Sequence, residues 1–190
     1  MLNRWDGKFF GVEIDRRACD FAKKRYDLDL FCGTLQDYQF KANQFDLITY
    51  WQSFEHVVSP SDELKHVRKA LKKGGKLIIG QLPNWESLDR VLFKGNNYHN
   101  CVPCHTFFFS ERTIKNYLRR YGFKEIKLGY ETWIPTQISW NLIMTLNRFF
   151  NNTIFPNKIV CLILSIPLLP LYILLKLIKR SLTFTIECRK

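Results

Sequence analysis

The chain has 190 residues, enough for one domain with a sizeable core. Its 46% hydrophobic and 24% charged content excludes a disordered chain. The formal charge of +12 is uneven, because residues 110–190 carry 13 Lys/Arg against 4 Asp/Glu, whereas residues 1–109 carry 16 against 13. Such a basic face suits nucleic acid or an anionic membrane surface.

The opening "MLNRWDGK" is short, polar and charged, unlike a cleavable signal. With no signal, the six cysteines indicate reduced thiols and a cytoplasmic setting. "KFFGVEI" is a short apolar run expected to form a buried parallel strand. Ala18, Phe21, Ala22 and Tyr26 follow at helical spacing, so "RRACDFAKKRY" is expected as an amphipathic helix. "DLFCGTL" and "FDLITYW" are the next two strands. "SPSDELKHVRKALKKGG" predicts a helix with Ser59 as N-cap, Pro60 at its first position, Leu64, Val67 and Leu71 inward, and Gly74-Gly75 as its stop. "KLIIGQLP" is a fourth strand and "SERTIKNYLRRYG" a second capped helix, with Ile114, Tyr117, Leu118 and Tyr121 inward. "FKEIKLGYE" and "LTFTIECRK" read as two further strands. Alternating strands and helices predict an α/β fold, with a mostly parallel sheet and helices on both faces.

One segment breaks this rhythm. Ile159–Leu175 has no charge over 17 residues. As a straight helix it would be about 26 Å long, a little short of a hydrocarbon core of about 30 Å. Pro167 and Pro170 oppose a straight helix, and Lys176, Lys179 and Arg180 follow as interfacial anchors. "ISWNLIMTLNRFF" is a second apolar stretch upstream. A buried helix of a soluble core is the alternative. A transmembrane helix would separate the last strand from its sheet, so a re-entrant or in-plane attachment is expected.

Glu13 lies at the carboxyl end of the first strand in this chain, where such sheets place an acid for a ribose diol; a solvated loop acid is the alternative. Asp15 fits a helix N-cap better than a ligand contact.

The ordered motifs "FFGVEID", "CGTLQD", "FDLITYWQSFEHV", "VRKALKKGGKLIIGQLPN" and "NWESLDRVLF" resemble those of class I S-adenosylmethionine-dependent methyltransferases. The continuation "YHNCVPCHTFFFSERTIKNYLRRYGF" is similar to a subgroup with an aromatic, histidine-containing loop. The resemblance covers residue 8 to about residue 130, and the last strand. It implies S-adenosylmethionine as cofactor, with Glu13 on the ribose, Gly33, Thr34 and Leu35 along the adenine, and Tyr50, Trp51 and Gln52 along the methionine side. The family often has an acid where Thr34 stands. His56 of the "EH" pair is the implied base, with a packing or capping histidine as its alternative, and His99 and His105 are implied substrate-loop residues. Where the subgroup carries an acid and an arginine, this chain has Cys101 and Cys104.

The family's first strand and its glycine-rich loop have no counterpart before "FFGVEI". That strand would lie between "FFGVEI" and "FDLITY", and its loss would leave two unpaired edges. Met1 is then expected to be an internal methionine of a longer parent, or the start of a truncated copy. The expected organisation is a methyltransferase-like α/β domain over 1–132, incomplete at its N-terminus, a hydrophobic membrane-associated insertion over 133–181, and a final strand, 182–190, returning to the sheet.

"CVPCH" fits a haem attachment pattern that requires export, and "HNCVPCH" offers zinc ligands without a second ligand pair, so no metal is assigned. The "NNT" sequon at Asn151–Thr153 would not meet a glycosylating enzyme on the cytoplasmic side. The functional expectation is methyl transfer to a small-molecule or lipid-linked acceptor, such as a lipid-linked glycan, an envelope precursor or a quinone-like lipid. The membrane surface, reached through 137–180 from the cytoplasmic face, is the expected partner, and nucleic acid is not. A non-catalytic membrane-bound protein, with a partner chain supplying the missing strand, is the alternative.

Overall fold

The computed structural model describes residues 7–97, 99–100, 103–131, 136–150 and 158–190. Its strands are β1 (Val12–Glu13), β2 (Phe31–Cys32), β3 (Phe45–Trp51), β4 (Leu71–Pro83), β5 (Lys124–Glu131) and β6 (Thr183–Arg189). Its helices are α1 (Arg16–Tyr26), α2 (Pro60–Ala70), α3 (Leu88–Phe93), α4 (Glu111–Arg120), α5 (Thr136–Phe150), α6 (Lys158–Ser165) and α7 (Leu169–Leu177).

The strands form two sheets. β1 and β2 make a parallel pair, and the other four are ordered β3-β4-β6-β5. β3 and β4 are parallel, whereas β6 runs antiparallel to both β4 and β5. The larger sheet is therefore mixed, with only β6 reversed. The reason is visible in the register: Glu131 pairs with Thr183, so the chain leaves the sheet after β5 and re-enters at the same end. Thr183 also pairs with Pro83, the last residue of β4. The α5–α7 excursion thus begins and ends at the carboxyl end of β4.

The core lies under the larger sheet. Phe54, Leu64, Val67, Leu71, Leu77, Ile114, Leu118, Phe184 and Ile186 are fully buried in one cluster. The stripes expected on α2 and α4 face it, with Tyr117 and Tyr121 packed at its margin. Ser59 caps α2 by accepting from Asp62 N, and Ser110 caps α4 by accepting from Thr113 N. Gly122 ends α4 at φ +79°, a left-handed conformation that suits glycine.

Three expectations shift. α2 ends at Ala70, and Gly74-Gly75 lies inside β4 instead of stopping the helix. Leu71 pairs with Phe45, so the ladder claims those residues. β1 and β2 are only two residues long. Among the described residues, β1 pairs only with β2 and β3 only with β4, the break expected between "FFGVEI" and "FDLITY". Aromatic rings bridge it, with Phe10 6.2 Å and Phe40 5.3 Å from Phe45. Third, the transmembrane-helix reading is not met. The apolar segment divides into α6, of 8 residues, and α7, of 9, about 12 and 14 Å long. Pro167 lies in the turn between them and Pro170 in the first turn of α7. No helix among the described residues is long and apolar enough to cross a membrane.

Candidate active site at the carboxyl ends of the strands

β1, β2 and β3 each deliver expected site residues just past their carboxyl ends, where open α/β sheets hold ligands. Glu13 closes β1, and its Oε1 accepts from Asp15 N at 2.9 Å. One acceptor direction of the carboxylate is therefore already used before any diol arrives. Asp15 is the N-cap of α1, accepting from Arg17 N at 2.9 Å, and the Arg17 guanidinium beside it lowers its carboxyl pKa. That agrees with its expected capping role.

Gly33 N donates to Glu13 O at 2.9 Å, which joins the first two site segments. Thr34 lies next, and both its N and its Oγ1 donate to Asp37 Oδ2, at 2.8 and 2.7 Å. Asp37, with its exposed side chain, thus caps the turn that begins at Thr34. Leu35 packs against the main core.

At the end of β3, strand alternation separates the three expected residues. The Tyr50 ring packs at 5.4 Å from Phe54, and its hydroxyl donates to Glu63 Oε1 at 2.7 Å. Burial and the neighbouring carboxylate push that phenol well above its usual pKa. Tyr50 therefore faces α2 and the core. Trp51 is exposed, and its ring lies so close over Gly80 that any Cβ there would collide with it. Gln52 follows at φ +48°, a conformation unusual for a residue with a side chain, and its N donates to Gly80 O at 3.1 Å.

His56 ends the short turn Phe54–His56. The loop before α4 is cross-linked to this turn, with Thr106 N and Thr106 Oγ1 each donating to Glu55 O at 3.0 Å. This brings the His56 and His105 rings to 4.8 Å. His56 Nδ1 bonds Cys104 O at 2.7 Å, and His105 Nδ1 bonds His99 O at 2.8 Å. A carbonyl oxygen only accepts, so each Nδ1 carries a proton, and Nε2 is the nitrogen that would accept in a neutral ring. Burial lowers the His105 pKa, which favours its neutral ring. His99 is buried, and its N donates to Asn97 Oδ1 at 2.9 Å.

Two buried acids were missed as anchors in the sequence. Glu63, 5% exposed, receives Tyr50 and also Gln36 Nε2 at 2.6 Å, linking β3, α2 and the turn after β2. Asp89 receives the amides of Asn97 and Asn141, tying α3, the loop before His99 and α5. Acids in the first turn of a helix normally face water, so only tertiary packing identifies these two. Cys101 and the sequon Asn151–Thr153 lie outside the described residues, while Cys104 is a free, exposed thiol.

The arrangement offers a carboxylate and loop backbone at β1 and β2, an exposed indole at β3, and two imidazoles on the adjoining loops. Two shallow surface depressions lie elsewhere, one along α4 and one beside α3.

Residues 3–128 match the family described as a methyltransferase domain. An uncharacterized protein of Methanocaldococcus jannaschii is 29% identical over 122 residues, 62% of this chain and 56% of that protein. A demethylmenaquinone methyltransferase of Paenarthrobacter aurescens is 30% identical over 88 residues, 40% of this chain and 35% of that enzyme. The chain therefore spans little more than half of one curated relative and about a third of the other. A solved S-adenosylmethionine-dependent methyltransferase of Thermotoga maritima, described as a possible histamine N-methyltransferase, is 29% identical with a TM-score of 0.53, covering 63% of this chain and 56% of its own.

Proposed function

Since the chain belongs to the methyltransferase-domain family, we propose that it moves the methyl group of S-adenosylmethionine to an acceptor presented at a membrane surface. S-adenosylmethionine is the cofactor that membership in the family brings with it. It supplies an electrophilic methyl group on a sulfonium, so the protein's work is alignment and, for a hydroxyl acceptor, proton removal. Glu13 would hold the ribose, Gly33, Thr34 and Leu35 the adenine, and Trp51 and Gln52 the methionine side. His56 Nε2 would take the acceptor's proton as the new bond to carbon forms, and His99 and His105 would shape the acceptor's loop.

The observation that carries the membrane part is a shared rim. Trp51 pairs with Gly80 near the carboxyl end of β4, and the α5–α7 excursion leaves and returns at that same end. Ile163, Ile166, Ile173 and Leu177 on this excursion are each at least 60% exposed, beside exposed Lys176, Lys179 and Arg180. An apolar face with a basic border matches an anionic, cytoplasmic leaflet, where each basic residue contributes about 1 kcal/mol. The Paenarthrobacter aurescens relative is named for demethylmenaquinone, in keeping with a quinone-like acceptor. A lipid-linked glycan or envelope precursor would meet the same geometry.

A second reading is a non-catalytic membrane-bound protein completed by a partner strand. The edges of β1 and β3, which have no partner strand among the described residues, favour it. Incubating the chain with methyl-labelled S-adenosylmethionine and anionic vesicles made from a bacterial lipid extract separates the two. The expected result is label in the lipid phase, lost in Glu13→Ala and reduced in Leu177→Asp. Failure of the wild-type chain to label any lipid would favour the second reading.

A further inference from the structure

Glu55, the residue before His56, is the least explained group in the molecule. It is 2% exposed, and its Oε2 has no hydrogen-bond partner. A buried carboxylate oxygen left unpaired is costly, and either protonation or a bound cation offsets that cost. Around it, ligand atoms of Glu55, His56 and His105 all lie within 4.8 Å of one another. Both imidazoles have their Nδ1 held by a backbone carbonyl, which leaves Nε2 as the nitrogen available to a ligand. That is how outer hydrogen bonds fix the tautomer and ring orientation of metal-binding histidines.

We propose that Glu55, His56 and His105 form a site for a divalent transition metal, with zinc the best match to the donors. Two imidazole nitrogens and one carboxylate oxygen make a three-ligand set that leaves the fourth tetrahedral position open. With bonds of about 2.0–2.1 Å the ligand atoms would have to draw in to roughly 3.3 Å apart. The two loops that carry them are already pinned by the Thr106 bonds to Glu55 O and by Thr106 Oγ1 to Val57 O at 2.9 Å. His56 is exposed and His105 half-buried, so the open position faces solvent. Bound metal would make His56 a ligand instead of a base, and an acceptor or water oxygen on the metal would lose its proton more readily. Metal binding itself does not depend on methyl transfer.

The test is a titration of the chelator-stripped chain with Co(II), read by visible absorption, and with Zn(II), read by competition with a chromogenic chelator. His56→Gln, His105→Gln and a Cys101→Ser/Cys104→Ser double variant are run beside it, with circular dichroism to confirm folding. The expected result is one tight equivalent showing a tetrahedral cobalt spectrum without a thiolate charge-transfer band. Affinity should fall by at least about tenfold in each histidine variant and persist in the cysteine variant. No tight equivalent in the folded wild type, binding indifferent to both histidine changes, or binding lost with the cysteines would each overturn the site. S-adenosylmethionine binding measured on the same samples reports separately on methyl transfer.

Discussion

The β3-β4-β6-β5 sheet and the β1–α1–β2 lobe follow the same strand-and-helix pattern, yet they bury very different amounts of surface. In the large sheet, β4 and β6 each have a strand on both sides, and Leu77, Ile79, Phe184 and Ile186 are at most 1% exposed. In the lobe, Ile14, Phe21 and Tyr26 are at least 60% exposed, and the strands are two residues long. Strand length is set by the partners available to a strand as well as by its own residues. β3 and β5 are also paired on one side only, but they belong to a four-stranded sheet packed on the core, whereas β1 and β2 have only each other among the described residues. The lobe carries the ribose and adenine residues, so the expected cofactor site is half on a rigid sheet and half on a weakly supported one.

The largest test of this contrast is a pair of aromatic truncations. Phe184→Ala, in the middle of the large sheet, should cost about 3–5 kcal/mol, whereas Phe21→Ala should change stability by no more than about 0.5 kcal/mol. Urea unfolding of the two variants measures the difference, and comparable losses would mean that the lobe is packed as tightly as the sheet. Next comes the link between them. Glu63→Ala strands the Tyr50 hydroxyl and the Gln36 amide, so it should cost about 1–3 kcal/mol. Hydrogen exchange in this variant should rise around Leu35–Asp37 more than in β4.

A smaller and more local loss is expected from Asp15→Ala. Removing the N-cap should cost about 0.5–2 kcal/mol and speed amide exchange in the first turn of α1 only. The smallest effect at neutral pH is a pH dependence of the large sheet, which grows only above pH 9. Burial pushes the Cys188 thiol up to about 12 from 9.0. The unfolded thiol ionises from pH 9 upward while the folded one does not. Its contribution is therefore complete below pH 9 and lost as pH rises through about 12. Urea midpoints below and above pH 9 should fall less steeply in Cys188→Ala than in wild type.

Much of the large sheet was legible because its signals are local. Ser59 and Ser110 announce their helices through caps, and Leu64, Val67, Ile114 and Leu118 mark inner faces through spacing alone. Other features depend on neighbours distant in sequence. Alternation along "FDLITYW" separates Tyr50 from Trp51 in any strand, but only the sheet decides which of them meets α2. Gly74-Gly75 looks like a helix stop until β3 pairs with the preceding leucine. His56, His99 and His105 were each visible as candidates, but the approach of His56 and His105 with buried Glu55 depends on the Thr106 cross-links between loops. The prolines of the apolar segment did forecast a bend, and the bend is where α6 gives way to α7.

The cofactor site proposed for this chain lies at the carboxyl ends of β1, β2 and β3. Calorimetric titration of S-adenosylmethionine into the detergent-solubilised chain, beside folded Glu13→Ala and Tyr26→Ala variants, tests it most directly. Saturable micromolar binding that Glu13→Ala loses and Tyr26→Ala keeps is the predicted result. No binding by the folded wild-type chain, or binding indifferent to Glu13, would contradict it.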